Sequence, residues 1–324
     1  MNLADLNKIA LAMVAPGKGI LAADESSGTI KKRFDAIKVE STEQSRRDYR
    51  EMLFRSSEAM RQYISGVILY DETIWQDAAD GMPLVRLIEQ SGAIPGIKVD
   101  EGTQALPGCP GELVTSGLDK LAERLKKYYE RGARFAKWRA VIDIGEGTGG
   151  LHLPSMTAIH VNAHALARYA ALCQAAQIVP IVEPEVLMDG GHDIDRCYDV
   201  TQRVLNKTFQ ELRVQRVALE GMILKPNMVI SYSISQFFAH TIRLSKVIKL
   251  AASFHPAHSL PICRPPSGGR CGAPGCEGLR LRWRRQGGSR RRGMSRSRRA
   301  LIPSALARAR ADRRRGRYVR ARTG

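Results

Sequence analysis

The residues best suited to chemistry are a lysine and several acids at the ends of apolar runs. Lys225 ends the run GMIL and is followed at once by a proline. Lysine is rare in buried strands because its charge costs free energy out of water. A lysine at this position therefore indicates either an amine that reaches solvent or an amine that the site uses.

A lysine becomes nucleophilic when desolvation or a neighbouring cation lowers its pKa. Lys137, in FAKWR, could supply that second positive charge. Glu183 and Glu185 are two residues apart in VEPE, so they point to the same face of a strand and could move protons. Asp24, in AADES, adds a third carboxylate. An amine, several carboxylates and several cations suit imine chemistry on an anionic carbonyl substrate.

Short apolar runs must position these residues, and longer helical patterns separate the runs. The runs are 19–25, 66–72, 96–100, 135–141, 179–186 and 221–229. Apolar residues of 193–212 repeat near helical spacing, and Ser155 is a candidate cap of another helix. Strands that alternate with helices predict an α/β fold with a parallel sheet buried on both faces.

Charged residues end every one of these runs, which favours a barrel over an open sheet. In a (β/α)8 barrel the chemistry lies at the C-terminal ends of the strands. One charged strand end is ordinary, since strands usually continue into polar loops. The same feature in all the runs together indicates a site.

The sequence changes character after Val229. Residues 231–254 are predicted to form one amphipathic helix. The net charge of +19 comes almost entirely from 20 arginines, with two acids and no lysine, after Leu250. Such a composition buries too little apolar surface to offset its ordering entropy. We therefore divide the chain into an incomplete barrel over 1–230 and a divergent, arginine-rich tail over 231–324 that is predicted to be disordered.

The chain shows no sign of export or membrane insertion. Its first residues lack a basic segment followed by a long apolar one, so no signal peptide is expected. No run of about 18 uncharged apolar residues is present, and the six cysteines are scattered. These features predict a cytoplasmic protein.

Motifs along the chain resemble, in order and spacing, those of class I fructose-bisphosphate aldolases. They are LAADESSGT, GVILYDET, GIKVDEG, FAKWRAV, IVPIVEPEV and LEGMILKPNMV. The resemblance covers roughly residues 4–229 and implies a (β/α)8 TIM barrel, of which six strands are recognisable. It implies reversible cleavage of fructose 1,6-bisphosphate through a Schiff base, in glycolysis or gluconeogenesis, without metal or cofactor. It also implies a homotetramer, and it leaves open a preference for fructose 1-phosphate.

The resemblance assigns roles motif by motif. Lys225 forms the imine, Glu183 is the main proton shuttle, and Glu185 helps proton transfers around the imine. Asp24 assists removal of the C4-hydroxyl proton, and Lys137 stabilises developing charge. Further residues are expected to contact the phosphates and hydroxyls of the substrate: Ser26, Thr29, Arg33, Arg46, Lys98 and Arg139.

The chain departs from the family after Val229. Two further β/α units, which carry phosphate-binding loops in the family, are not recognisable in the sequence. Six strands alone leave the first and the sixth with open edges. The alternative hypothesis is an aldolase-derived protein without catalysis, whose arginine-rich tail binds nucleic-acid phosphates.

Two other patterns indicate structure rather than a site. GEGTGG, at 145–150, lacks the following helix and the acid that a dinucleotide-binding loop needs. His160 and His164 have the i, i+4 spacing of a metal pair but no obvious third ligand.

Overall fold

Parallel strands alternate with helices through the body of the chain. A computed structural model describes residues 1–145 and 152–227, and the backbone of 249–250 and 253–254. The strands of the body are β1 (Gly19–Ala23), β2 (Ile64–Leu69), β3 (Ile94–Lys98), β4 (Thr103–Ala105), β5 (Leu113–Thr115), β6 (Phe135–Ile142), β7 (Val179–Val186) and β8 (Ile223–Leu224). The helices are α1 (Leu3–Met13), α2 (Ser27–Ala36), α3 (Glu43–Phe54), α4 (Ser57–Tyr63), α5 (Asp71–Trp75), α6 (Leu84–Gln90), α7 (Leu121–Arg131), α8 (Met156–Ala175) and α9 (Ile194–Val214).

The six predicted strands form one parallel sheet in the order β1-β2-β3-β6-β7-β8. β4 and β5 form a separate antiparallel pair. The predicted helix cap is also present: the Ser155 side chain accepts a hydrogen bond from the Ala158 N–H at the start of α8. No helix in the described part of the chain combines the length and the apolar character that a membrane span needs.

The sheet curls on itself, as a barrel requires. In a flat sheet, β1 and β8 would lie about 24 Å apart, because neighbouring strands are separated by about 4.8 Å. Instead Ile20 of β1 and Ile223 of β8 belong to the same buried apolar cluster. α1 covers the N-terminal end of this cluster, where the Ser65 hydroxyl, at the start of β2, donates to the Met13 carbonyl at 2.6 Å.

Phe135 fills much of the space inside the curl. Its ring is fully buried and lies against Gly96 of the neighbouring strand β3 and Gly66 of β2, one strand farther along the sheet. A Cβ at position 96 would lie 2.3 Å from the ring. Glycine is therefore required there by the close approach of the ring, not by the backbone conformation.

Two short strands pair with the edges that the sequence leaves open. β9 (Lys249–Leu250) pairs with β8, and β10 (Ser253–Phe254) pairs with β1, both in parallel. The helix predicted over 231–254 is therefore wrong at its last residues, while 231–248 lie outside the described residues. The helical periodicity of this segment does not determine its structure. Strands form instead because they pair with the free N–H and C=O groups of two exposed sheet edges.

Candidate active site

Strand alternation places a row of charged side chains directly above the apolar interior. Residues two apart on a strand share one face. In each of five strands, a charged residue follows an interior position by two residues. The pairs are Ala22 and Asp24, Gly96 and Lys98, Phe135 and Lys137, Ile181 and Glu183, and Ile223 and Lys225. Asp24, Lys98 and Lys225 end or directly follow β1, β3 and β8, at the end of the sheet where a barrel enzyme carries its chemistry. Lys137 and Glu183 lie inside the longer strands β6 and β7, and Lys137 is opposite Lys98 in the register.

Four of these side chains form a continuous line of alternating charge. Lys137 Nζ donates to Asp24 Oδ2 at 2.8 Å and lies 4.0 Å from Glu183 Oε2. Lys225 Nζ donates to Glu183 Oε1. The line runs from β1 to β8 across the open end of the curled sheet. Each of its side chains is less than a fifth exposed. The structure thus brings together four of the five residues to which the resemblance assigns imine formation, proton transfer and charge stabilisation; Glu185 is the fifth.

The two lysines have different electrostatic surroundings. Burial alone would lower the pKa of Lys137, but the charges of Asp24 and Glu183 outweigh it, so the pKa lies above its ordinary value. Lys137 therefore stays charged at neutral pH and acts as a fixed cation rather than a nucleophile. Among the described residues, Lys225 pairs with one carboxylate only, that of Glu183.

Asp24 is held in its ionised form. Burial would raise the pKa of this carboxyl group, but the charge and hydrogen bond of Lys137 and the charge of Lys98 outweigh it, so the pKa lies below its ordinary value. Opposite charges within about 4–6 Å favour the ionised form in this way. At neutral pH the site therefore contains a carboxylate that can accept a proton beside a permanent cation.

Glu183 has one oxygen free for a further hydrogen bond. Its side chain is 3% exposed. Oε1 accepts from Lys225, whereas Oε2 is buried and has no hydrogen-bond partner within the described ranges. Buried carboxylate oxygens are rarely left unpaired. The free oxygen lies 4.0 Å from the Lys137 amine, and a substrate hydroxyl or a water molecule could donate a hydrogen bond to it.

The remaining charged residues of the predicted set are in ion pairs of their own. Glu185 pairs with Arg139, which is nearly half exposed. Lys98 pairs with Asp100 at 2.7 Å and is opposite Lys137 in the register of β3 and β6. Glu185 is therefore engaged by an arginine in this structure, not by the lysine that it is predicted to serve.

Ser26, Thr29 and Arg33 lie on the helix that follows β1. The Ser26 side chain caps α2, with Ser26 Oγ 3.0 Å from Thr29 Oγ1. Both hydroxyls are at the helix N-terminus, where backbone N–H groups and the helix dipole favour anions. Arg33, farther along α2, pairs with the buried carboxylate of Glu25.

Arg46 lies apart from the line of charges, on α3. Its guanidinium makes a two-point contact with Glu72, with Nε to Oε1 at 3.0 Å and Nη2 to Oε2 at 2.5 Å. Glu25, Glu72 and Asp100 also end apolar runs of the sequence, but their types and spacing predict no role. Their positions close in sequence to predicted site residues are the one indication of a role. The residues with which they pair are seen only in the structure.

The histidine pair on α8 contacts an acid on α9. His160 Nδ1 and His164 Nδ1 lie 3.5 and 3.1 Å from the two oxygens of Glu211, and Lys207 occupies the same carboxylate at 2.7 Å. Within the described ranges, no group of three or more histidine, cysteine or acidic side chains is arranged to hold a metal ion.

Comparison with known proteins decides the family. The family model for class-I fructose-bisphosphate aldolase matches residues 5–256. A protein from Xanthomonas campestris pv. campestris, named "Probable fructose-bisphosphate aldolase class 1", is 58% identical over 231 residues. The match covers 71% of this chain and 67% of that protein. The chain belongs to the class I fructose-bisphosphate aldolase family.

Other aldolases support the same family and the same fold. "Fructose-bisphosphate aldolase 4, cytosolic" from Arabidopsis thaliana is 56% identical over 66% of this chain and 53% of its own length. A solved structure of fructose-bisphosphate aldolase from Plasmodium falciparum is 46% identical. It superposes with a TM-score of 0.69 over 74% of this chain and 71% of that one. The curled parallel sheet is therefore the TIM-barrel type of sheet that the motifs predict.

The nucleic-acid alternative gains no support. The residues on which it depends, from 255 onwards, lie outside the described structure. The matching relatives reported above are named as aldolases, which are lyases.

Proposed function

We propose that this chain cleaves fructose 1,6-bisphosphate reversibly to dihydroxyacetone phosphate and glyceraldehyde 3-phosphate, with Lys225 as the imine-forming residue. The observation that carries the proposal is the hydrogen bond between the Lys225 amine and the buried carboxylate of Glu183. A lysine nucleophile needs a neighbouring group that takes and returns protons. Glu183 is in position to be that group.

The first half of the reaction forms the imine. The Lys225 nitrogen attacks the C2 ketone, and Glu183 accepts the proton that the amine loses. The C2 oxygen takes up a proton from solvent to become a hydroxyl, and Glu183 then returns its own proton to this hydroxyl, which leaves as water. The product is an iminium ion, whose positive nitrogen can receive an electron pair from the neighbouring carbon–carbon bond.

The second half breaks the C3–C4 bond. Asp24 accepts the C4-hydroxyl proton as the C3–C4 electron pair moves onto C3, and glyceraldehyde 3-phosphate leaves as the aldehyde. Lys137, which stays charged beside Asp24, stabilises the negative charge that develops on the C4 oxygen. Protonation of the enamine at C3 and hydrolysis of the imine release dihydroxyacetone phosphate and regenerate Lys225. We assign to Glu185 a supporting part in these proton transfers.

The two phosphates of the substrate require cations and N–H donors at the rim of the site. Ser26 and Thr29 supply hydroxyls at the N-terminus of α2, where the helix dipole favours an anion. Lys98, Arg139 and Arg33 supply positive charge. An anion could compete for each of these cations with its present carboxylate partner. Arg46 could contact the substrate only if its ion pair with Glu72 opened.

We further propose the cytoplasm as the location and a homotetramer as the assembly. The location agrees with the cytosolic name of the Arabidopsis relative. We also propose that the chain divides into a barrel over 1–230 and a tail over 231–324. The short strands β9 and β10 belong to the tail and pair with β8 and β1 of the barrel. Sedimentation velocity measures the assembly directly.

The test is aldol cleavage by matched lysine variants. Lys225→Met is expected to abolish cleavage of fructose 1,6-bisphosphate in a coupled assay, because in the described part of the chain only the Lys225 amine donates a hydrogen bond to Glu183. Lys126→Met, at an exposed position of α7, is the control and should retain the activity of the unaltered chain. Undiminished cleavage by Lys225→Met would falsify the assignment.

A further inference from the structure

Arg50 is a fully buried arginine that lies behind the predicted site. It belongs to α3, and its side chain has no exposed surface. Removing a charge from water has a large free-energy cost, which an arginine recovers only through well-placed hydrogen bonds and charges. The partners of Arg50 therefore indicate why the chain keeps it.

Those partners come from the ends of two neighbouring strands. Arg50 Nη2 donates to the backbone carbonyl of Glu25 at 2.7 Å, and Nη1 lies 3.4 Å from Glu72 Oε1. The guanidinium also lies over the Tyr70 ring, 5.8 Å from its centre. Glu25 follows β1 within two residues, and Tyr70 directly follows β2. One side chain thus ties together the C-terminal ends of β1 and β2.

The contact with Glu25 acts on the residue before it. The carbonyl that Arg50 holds belongs to the residue directly after Asp24, so it limits rotation of the backbone that carries the Asp24 carboxylate. That carboxylate is 2.8 Å from Lys137 on β6, three strands away in the sheet order. A small shift of the β1 end would lengthen this hydrogen bond.

We propose that Arg50 is a positioning residue that holds Asp24 in place for the C3–C4 cleavage step. The inference rests on the proposed function, since Asp24 matters here as the group that takes the C4-hydroxyl proton. Within the described ranges, the side-chain hydrogen bonds of Arg50 reach Glu25 and Glu72 and none of the charged row. A misplacement of about 1 Å at a reacting group can cost about 100-fold in rate.

The neighbouring arginines do not share this arrangement. Arg46 also contacts Glu72, but its described hydrogen bonds do not reach β1. Arg55, which follows α3, is 42% exposed and pairs with Glu51 and Asp80. Arg55→Met is therefore a matched control that removes an arginine near the same helix without affecting the end of β1.

The experiment separates imine formation from cleavage in Arg50→Met and Arg50→Lys. Imine formation is measured by borohydride trapping with dihydroxyacetone phosphate, which needs Lys225 and Glu183 but not C3–C4 cleavage. Cleavage is measured as kcat and KM for fructose 1,6-bisphosphate. We expect Arg50→Met to lower kcat about 10–100-fold, with KM within about twofold and trapping retained. Arg50→Lys keeps the charge and should recover part of kcat, whereas Arg55→Met should match the unaltered chain.

Three results would overturn the proposal. The first is an unchanged kcat in a folded Arg50 variant. The second is an equal loss of trapping and cleavage, which would mean a general loss of structure. The third is an unaltered chain that forms no trapped adduct at Lys225. This last result would refute the proposed function itself, and it is measured before any Arg50 variant is compared. Arg50→Lys keeps the test decisive if Arg50→Met does not fold.

Discussion

Replacing Gly96 by alanine tests the interior packing that supports the row of charged residues. Gly96 lies two residues before Lys98, and the Phe135 ring against it lies two residues before Lys137. A methyl group at position 96 would lie 2.3 Å from two ring carbons and 2.5 Å from a third. Ordinary carbon–carbon contacts are about 3.5–4.0 Å. The new atom would thus be more than about 1 Å too close to a ring that is itself fully buried.

The loss of stability in Gly96→Ala follows from the close packing of the residues around position 96. Overpacking a well-filled core costs about 1–3 kcal/mol, and an overlap of this size belongs at the upper end of that range. For a domain of about 150–250 residues, each 1 kcal/mol shifts Tm by about 2–4 °C. Gly96→Ala should therefore lower Tm by about 6–12 °C. Adding Phe135→Leu to Gly96→Ala should restore part of the lost Tm, because the smaller side chain makes room for the methyl group.

Thermal unfolding followed by circular dichroism is the assay, and Gly28→Ala is the control. A Cβ at Gly28 has no atom within 4 Å, and this residue lies near the start of α2 at an ordinary helical position. The control should leave Tm unchanged or raise it slightly, since alanine is the better helix former. A Tm for Gly96→Ala within 2 °C of the unaltered chain, on the same roughly 2–4 °C per kcal/mol scale, would refute the reasoning.

Three further predictions concern charge and sheet edges. Lys137→Met should lower the free energy of unfolding by about 3–5 kcal/mol in urea titrations, because it leaves Asp24 buried without its main partner; a loss below about 1 kcal/mol would contradict this. The lowered pKa of Asp24 means that its stabilisation is complete above the ordinary value near 3.8 and is lost as the pH falls through the lower folded value. Acid unfolding of Asp24→Asn should therefore depend less steeply on pH below about 4, and an identical slope would count against the pair. Leu250→Pro should lower Tm, since proline removes an N–H from the segment that pairs with β8; an unchanged Tm would show that the pairing of β9 adds nothing.

The sequence allowed the sheet and the central charges to be predicted because both follow local rules. Alternation along a strand places Glu183 two residues beyond Ile181 on the same face, whatever lies across the barrel. The apolar runs, the helix patterns and the Ser155 cap are equally local. The motifs then supplied the roles, which spacing alone left at the level of imine chemistry.

Which side chains pair with each other could not be predicted in the same way. Arg46 was expected at the substrate, yet its guanidinium is paired with Glu72, 26 residues away. Arg50 binds a backbone carbonyl 25 residues earlier in the chain, for which no sequence pattern exists. β9 and β10 were missed for a related reason, since the edges of β8 and β1 determine their conformation more than their own residues do. These features depend on tertiary contacts that bring distant positions together.

Trapping of the imine tests the central assignment most directly. The purified full chain is incubated with fructose 1,6-bisphosphate, reduced with borohydride, digested and mapped by mass spectrometry. The account predicts a reduced three-carbon or six-carbon phosphate adduct on Lys225, and none in Lys225→Met. An adduct on Lys137 instead, or no adduct from a folded chain, would contradict the assignment of Lys225 as the imine-forming residue.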